Sequence, residues 1–498
     1  MESRTGFGFL IRYTICFSLI VVALLINSWA NHNLIWIGVS WSILFLNALW
    51  LLPVWPFIGK EMISYILKSL TWKRAPIAVA IVGLWLVVIY LLSTKGFFVG
   101  VAAVLIVFLL IWAVGCVVGR SFKPAPVNFE KMRIWELILA IHCYLFILVA
   151  SFASSLIVGS KIGRLAYSQA PSSENVERLE TEFVDVRGQI HVHSYLSHDS
   201  EGKLEDIARA AKAAGVRWVI LTDHISGLPD GNLPAEIDGV LFIYGQERSW
   251  EKQGSRFSAP LQKEPAERLH VYGHIEQYRG ADDSRWQAIE LVNFHANALE
   301  KAWTILGRIF SSPAKVYDEL LFVRQNNLEY WQSLAERRGR PVPIVVGTDA
   351  HEQIKIWGNT LDPYEFMFRL MSTHVILDSD ESVSEESILR AIGDGRTYIA
   401  FDCLGDPAGF EFMALSRGGN RCFTGGTVKG PTTLWVGCEN AFQGDELRLF
   451  RDNKIMISEK FLPEMVAKAF LYPEPGFWRV EIWRNGKPWI ISGQILVK

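Results

Sequence analysis

His191 and His193 stand one residue apart at the end of a stretch, Val186 to His193, that predicts a β-strand. The chain has eleven histidines; eight fall from His191 to His351 and none follows His374. In a strand, residues i and i+2 share a face, so Ile190 and Val192 point one way and both imidazoles the other. A divalent metal is the usual reason for such a pair. More ligand-type residues follow the ends of later strand-like segments: His198 and Asp199 after the first, Asp223-His224 after Trp218 to Thr222, and Glu247 after Val240 to Gly245. His274 stands in Gly273-His274-Ile275, His295 follows Ala288 to Phe294, and Thr348-Asp349-Ala350-His351 follows Val342 to Val346. Active sites of parallel α/β folds lie at strand C-terminal ends, so these side chains are expected to converge.

Nitrogen and carboxylate ligands without thiolate suit Zn, Mn or Fe in clusters of two or three ions, and do not suit a structural zinc site. So many ligands exceed the need of one ion. A multi-metal site holds a hydroxide at neutral pH and clamps the attacking and leaving oxygens, which is what phosphoester hydrolysis requires. Not every candidate carries that chemistry. His198 and His270 read better as ordinary surface or core histidines. Asp223 reads as hydrogen-bond support for a ligand histidine. Arg248 fits an anionic substrate and a surface ion pair equally.

The scaffold expected to hold these residues alternates strand and helix. Leu204 to Ala214 predicts a helix with an Ala-rich face, and Ala298 to Phe310 and Ala314 to Arg337 predict helices between the later strands. The alternation predicts a mostly parallel α/β barrel or sheet. From about residue 401 the texture changes to short strands separated by Gly, Pro and Asn. Trp478 to Ile482 alternates apolar with charged residues, Asn485-Gly486 is a strong hairpin turn, and Pro488 to Val497 returns. That predicts a small β-sandwich without histidine, its tryptophans serving as core.

The first third of the chain is of another kind. Over 498 residues the composition is 50% hydrophobic, with a net charge of −2. Five apolar runs, about 9–29, 34–57, 76–94, 97–118 and 134–158, match the ~20 residues needed to cross a bilayer. Basic residues crowd two of the intervening loops, Lys60, Lys68, Lys73 and Arg74 in one and Arg120, Lys123, Lys131 and Arg133 in the other, which places those loops in the cytoplasm. Five crossings then put everything after Gly159 outside it. Within the fifth run, Glu136 lies near the interface and His142 reads as packed in a bundle, so the pair does not read as a transport path. Cys422 and Cys438 fit a disulfide if the domain is exported, and fit independent thiols otherwise. The near-neutral charge gives no reason to expect nucleic acid as a partner. The expected organisation is a membrane region over 1–165, a linker over 166–184, a barrel over 185–400 and a β-rich domain over 401–498.

Taken in order, His191-x-His193, Thr222-Asp223-His224, Gly245-x-Glu247 and Gly347-Thr348-Asp349-Ala350-His351 resemble the PHP superfamily, named for polymerase and histidinol phosphatase. Within it, Arg396-Thr397-Tyr398-Ile399-Ala400, Trp478-Arg479-Val480-Glu481 and Pro488-Trp489-Ile490 look similar to the CehA/McbA-type metallohydrolases. The resemblance covers about residues 185–498 and leaves the membrane part unexplained. It implies a distorted (βα)7 barrel holding two or three divalent ions, followed by a β-rich domain. It further implies that His191 and His193 bind one metal, that Glu247 bridges, and that Asp349 and His351 close the site. His224 and Asp199 match further ligands, with His198 an alternative to Asp199. His270, His274 and His295 compete for two remaining places, and His274 and His295 fit them best.

The combined expectation is a multi-pass membrane protein whose extracytoplasmic part is a metal-dependent hydrolase, with His191, His193, Glu247 and Asp349 at the catalytic centre. A phosphoesterase is favoured, with a metal-bound hydroxide attacking the phosphorus of a small-molecule or lipid-derived ester. The alternatives are a carboxyl or carbamate ester hydrolase of the CehA type, and a metal-binding membrane sensor without turnover.

Overall fold

The computed structural model describes residues 152–167, 183–228, 233–250, 254–277, 286–311, 313–356, 358–462, 467–471 and 473–498. Four of the expected membrane spans, the fifth up to residue 151, and most of the expected linker lie outside these residues. Contacts divide the chain into Met1–Lys123 and Pro124–Lys498, and every described residue belongs to the second unit. Among the described residues no helix is long and apolar enough to cross a membrane. Residues 152–167 form a helix, α1, that continues from the fifth apolar run. Ile157 and Ser160 are buried, Lys161 donates to Asn359 Oδ1 at 3.1 Å, and Arg164 donates to the Leu361 carbonyl at 2.8 Å. This helix is thus part of the folded domain.

The site is positioned by strands β1 (Phe183–Val192), β2 (Trp218–Leu221), β3 (Val240–Tyr244), β4 (Gln246–Trp250), β5 (Gly254–Ala259), β6 (Leu269–Gly273), β7 (Ala288–Asn293) and β8 (Ile344–Ala350). β1 pairs in parallel with β2, and β2 with β3, which passes through Gly245 into β4. β4, β5 and β6 follow as antiparallel neighbours. Parallel pairings of β6 with β7, β7 with β8, and β8 with β1 close the circuit. Ile190, Ile220, Ile243, Phe257, Val271, Ala288 and Val345 form one buried cluster with Ile388, Ala391 and Ile392 of a helix at Glu385–Asp394.

Alternation of strand and helix is realised only in part. The helix Leu204–Ala213 connects β1 to β2, and α2 (Phe294–Glu300), α3 (Ala302–Ser311) and α4 (Gln325–Arg338) connect β7 to β8. β4, β5 and β6 are instead joined as hairpins, so the sheet is mixed. The expected helix from Ala314 begins only at Gln325. The stretch before it makes two short 3-10 turns, Pro313–Lys315 and Asp318–Leu320, that bury Leu320 and Leu321.

β1 carries the sheet onward. Its first half pairs antiparallel with β9 (Ser372–Asp378), and β9 with β10 (Thr397–Ala400). β10 pairs with a strand at Lys487–Ser492, so one sheet runs on past residue 400. Facing it is a four-stranded sheet built from Phe410–Ser416, Arg421–Phe423, Thr432–Cys438 and Ala467–Leu471. Phe410, Phe412, Leu434 and Val436 on one side meet Leu447, Trp478, Val480, Trp489 and Ile490 on the other, so Trp478 and Trp489 are core. Cys403, Cys422 and Cys438 are free thiols, and no Cys422–Cys438 disulfide forms.

Candidate metal centre

Five strand ends and one loop deliver the site. His191 and His193 come from the end of β1, Asp199 from the loop after it, His224 from the turn after β2, Glu247 from β4, His274 from the end of β6, and Asp349 and His351 from the end of β8. Glu247 and Asp349 sit at the middle. His191 Nε2 is 3.2 Å from Glu247 Oε2 and 3.2 Å from Asp349 Oδ1. His193 Nε2 lies 3.4 and 3.5 Å from the same two oxygens. His274 Nε2 is 3.4 Å from Glu247 Oε1. Asp199 Oδ2 faces His224 Nε2 at 3.2 Å and His351 Nε2 at 3.3 Å. Three groups could each hold an ion: His191, His193 and Glu247; His191, His274 and Asp349; His193, Asp199 and His351.

Backbone conformation concentrates strain here. His191, His274 and Asp349 have φ of 64°, 50° and 54°. Left-handed backbone costs a non-glycine residue roughly 1–3 kcal/mol and survives only where neighbours enforce it. At His191 the strand is also bulged, with register shifts between Ile190 and Val192 against both β2 and β8. The two imidazoles do converge, with ring centroids 5.4 Å apart, but through this bulge and not through the plain alternation of a strand.

The other candidates fall elsewhere. His270 bonds Ser258 Oγ at 2.9 Å and the Pro265 carbonyl at 2.8 Å, and joins none of the donor groups. His198 is exposed, its ring 5.3 Å from that of His224. His295, in the first turn of α2, places its ring 6.1 Å from that of His351, beside the site but outside the three groups. Asp223 accepts from Ser194 N at 2.6 Å and Ser194 Oγ at 2.8 Å, bracing the loop after His193. Arg248 is exposed and bonds Gln246 at 3.2 Å. Three residues escaped the sequence reading: Glu290, Glu276 and Asn293. Glu290 Oε1 accepts His191 Nδ1–H at 2.6 Å, and Glu276 Oε1 accepts His274 Nδ1–H at 3.1 Å. A carboxylate within the apolar run Ala288–Asn293 was the available signal, because a buried charge needs a partner.

The family model described as "PHP domain" matches residues 189–408, which span every one of these donors. Residues 189–408 are a PHP domain. No curated protein matches the chain. Among solved structures, PsfC from Pseudomonas syringae PB-5123 is similar at 16% identity and a TM-score of 0.27, over 44% of this chain and 92% of that one. The lesion-specific endonuclease PfuEndoQ from Pyrococcus furiosus is similar at 16% identity and a TM-score of 0.22, over 48% of this chain and 64% of that one. Neither likeness adds to the domain assignment.

PHP domains bind divalent metals, and the donors of this one fit such ions. His193 is wholly buried, yet neither ring nitrogen has a hydrogen-bond partner. A buried polar group left in that state is costly unless something else is bound to it. Three other imidazoles are oriented to leave Nε2 for a ligand: Nδ1 of His191 faces Glu290, Nδ1 of His274 faces Glu276, and Nδ1 of His351 donates to the Asp349 carbonyl at 2.8 Å. Electrostatics agree with a cage of negative charge. Burial opposes protonation of His191, but Asp349, Glu290 and Glu247 outweigh it and hold the imidazole well above its ordinary value. Burial likewise opposes charge on His193 and His274, while the carboxylates of Asp349 and Glu247 beside the first, and of Glu247 and Glu276 beside the second, lift them to about 9 and about 10. Burial disfavours charge on Glu247 and Asp349 too, yet His191 and its neighbours keep both carboxyls well below the usual range. A divalent ion would take the place of these protons.

Proposed function

We propose that the protein is a metal-dependent hydrolase of ester bonds, with phosphoesters favoured, working at the cluster around Glu247 and Asp349. The observation that carries this reading is His193, buried among Glu247, Asp349 and Asp199 with both nitrogens unpartnered. The PHP domain supports it, because that family includes metal-dependent phosphoesterases and hydrolases. Two or three divalent ions, Zn, Mn or Fe by donor type, would polarise a water and neutralise charge developing on the ester. His191, His193, Glu247, His274 and Asp349 would hold them from the closed side, where His191 and His193 have no exposed side-chain surface. Asp199 and His224 would hold them from the open side, where the side chains are 23% and 26% exposed. The substrate, a small-molecule or lipid-derived ester, therefore approaches past Asp199 and His224. His295, next to the cluster but outside the donor groups, is placed to meet a bound ester.

The apolar runs before residue 159 make the protein a multi-pass membrane protein in this reading, with the PHP domain outside the cytoplasm. A reporter that is active only outside the cytoplasm, fused after Lys498, is expected to light up; activity confined to a cytoplasmic reporter overturns the topology. The catalytic reading is tested on the full chain in detergent, by measuring bound metal and turnover of nitrophenyl phosphomonoester, phosphodiester and carboxyl ester. Bound metal and phosphoester turnover, both lost in a His191→Ala, His193→Ala variant, are expected. Turnover of the carboxyl ester alone shifts the protein to the CehA-type alternative. Bound metal without turnover of any ester makes it a sensor.

A further inference from the structure

The donor groups do not rest on equal support. His191, His274 and Asp349, the residues with left-handed backbone, are all tied to one pair of buried side chains. Glu290 has no exposed surface; its Oε1 accepts from His191 Nδ1 at 2.6 Å and its Oε2 accepts from the backbone N–H of His274 at 2.9 Å. Asn293 Oδ1 caps α2 by accepting from Ala296 N at 2.8 Å, which turns Nδ2 toward the interior. There Nδ2 lies 3.3 and 3.4 Å from the two Glu290 oxygens and 3.4 Å from Asp349 Oδ2. Gly347 makes the room: a Cβ at that position would overlap Glu290 Oε1 and press on His191 Cβ.

The group His193, Asp199 and His351 lacks such a template. His193 has no hydrogen-bond partner on either nitrogen. Asp199 stands on the loop after β1, held by Ser197 Oγ at 2.5 Å, with 23% of its side chain exposed. Preorganised donors bind a cation without spending affinity on their own ordering, while donors on an open loop must be ordered as they bind.

We propose that Glu290 and Asn293 are positioning residues that make His191, His274 and Asp349 the tight ion subsite, and that His193, Asp199 and His351 form a weaker, exchangeable one. The inference rests on the metal-dependent function proposed above. It predicts that the ions leave in order as chelator is raised, the one at Asp199 first.

Equilibrium dialysis of the full chain in detergent against buffered Mn²⁺ tests it. Wild type is expected to show two affinity classes. Glu290→Gln, which keeps the shape and removes the charge, is expected to weaken the tight class by about 10–100-fold and spare the weak one. Asp199→Asn is expected to do the reverse. Asn293→Asp keeps the α2 cap but replaces an N–H donor with an oxygen facing two carboxylates, so it should match Glu290→Gln and serves where that variant fails to fold. A single class in wild type, equal weakening of both classes, or no change in either positioning variant overturns the proposal. Wild type that takes up no divalent ion overturns the proposed function itself.

Discussion

His193 and His374 are both buried imidazoles among carboxylates, yet His374 has every polar atom answered and His193 has none. His374 Nδ1 meets Asp185 Oδ1 at 2.8 Å and Nε2 meets Asp402 Oδ1 at 3.2 Å. The remaining oxygens are taken as well: Tyr398 donates to Asp185 Oδ2 at 2.5 Å, and Ser372 donates to Asp402 Oδ2 at 2.6 Å, with Arg187 3.2 Å away. Around His193 the nearest carboxylate oxygens stand at 3.4, 3.5 and 3.8 Å. One cluster is a closed hydrogen-bond network that knits β1, β9 and β10 together. The other is a set of donors aimed at a shared space. Residue types alone do not separate a structural cluster from a ligand cage; unanswered donors do.

The sharpest way to break the comparison is to remove a central carboxylate from the open cluster and the imidazole from the closed one. Glu247→Gln is expected to lower kcat/KM for the ester turned over by at least about 10³-fold, the loss of several kcal/mol of transition-state charge stabilisation. It should also abolish most of the thermal stabilisation that added Mn²⁺ gives wild type, about 2.7 kcal/mol at a hundredfold excess over Kd. An unchanged metal-induced shift in Tm would sink the role given to Glu247.

His374→Gln is expected to behave the other way, keeping metal binding and turnover while losing roughly 3 kcal/mol of stability near pH 6, because the buried carboxylate of Asp402 and the half-buried one of Asp185 lose their cation. Burial opposes the charged form of His374, but Asp185 and Asp402 outweigh it and raise the imidazole to about 9. A raised value means that the contribution is full below the ordinary imidazole range near 6.5, declines as pH rises, and is gone above about 9. Denaturant midpoints of wild type and variant should therefore converge between pH 6.5 and 10. A gap that stays constant would show that His374 is held as a neutral group.

The convergence of much of the donor cluster was legible because its residues lie at strand ends in short motifs, and strand ends are where parallel topology brings side chains together. His191, His193, Glu247, Asp349 and His351 needed no more than that. Glu290 was legible only as a lone carboxylate in an apolar run, a sign that a buried charge needs a partner; which partner it meets is set by the pairing of β7 with β8, where the register shifts between Glu290 and Val292. The positive φ of His191 and Asp349 has no sequence signal, because it is imposed by neighbours. His295 follows its strand as the motifs require, and the helix that begins at Phe294 sets its ring beside the donor groups, 6.1 Å from that of His351. The hairpins of β4 to β6 interrupt a pattern whose flanking segments suggested regular alternation.

Gly347→Ala tests whether the strained side of the cage depends on backbone space. The added methyl meets Glu290 and His191, so a cost of about 1–3 kcal/mol is expected from overpacking. Calorimetry of the metal-free protein should show the lower Tm. If the variant is as stable as wild type, the Glu290 carboxylate has freedom that its buried, doubly bonded geometry denies.

The smallest effect is expected at His270, and it bears on the same contrast. Like His374, this imidazole has both nitrogens answered, by Ser258 and by the Pro265 carbonyl, but no carboxylate faces it. Burial, with Arg256 and Arg268 adding to it, lowers its affinity for a proton against the pull of the Pro265 carbonyl. His270→Asn should cost about 1 kcal/mol and leave metal content unchanged. The pH dependence runs opposite to that of His374: a lowered value means the contribution is present above the ordinary imidazole range and lost as pH falls below it. Wild type and His270→Asn should therefore draw together on the acid side, where wild type and His374→Gln stand furthest apart. Loss of an ion from His270→Asn would instead make His270 a ligand, and would extend the cage along β6 beyond His274.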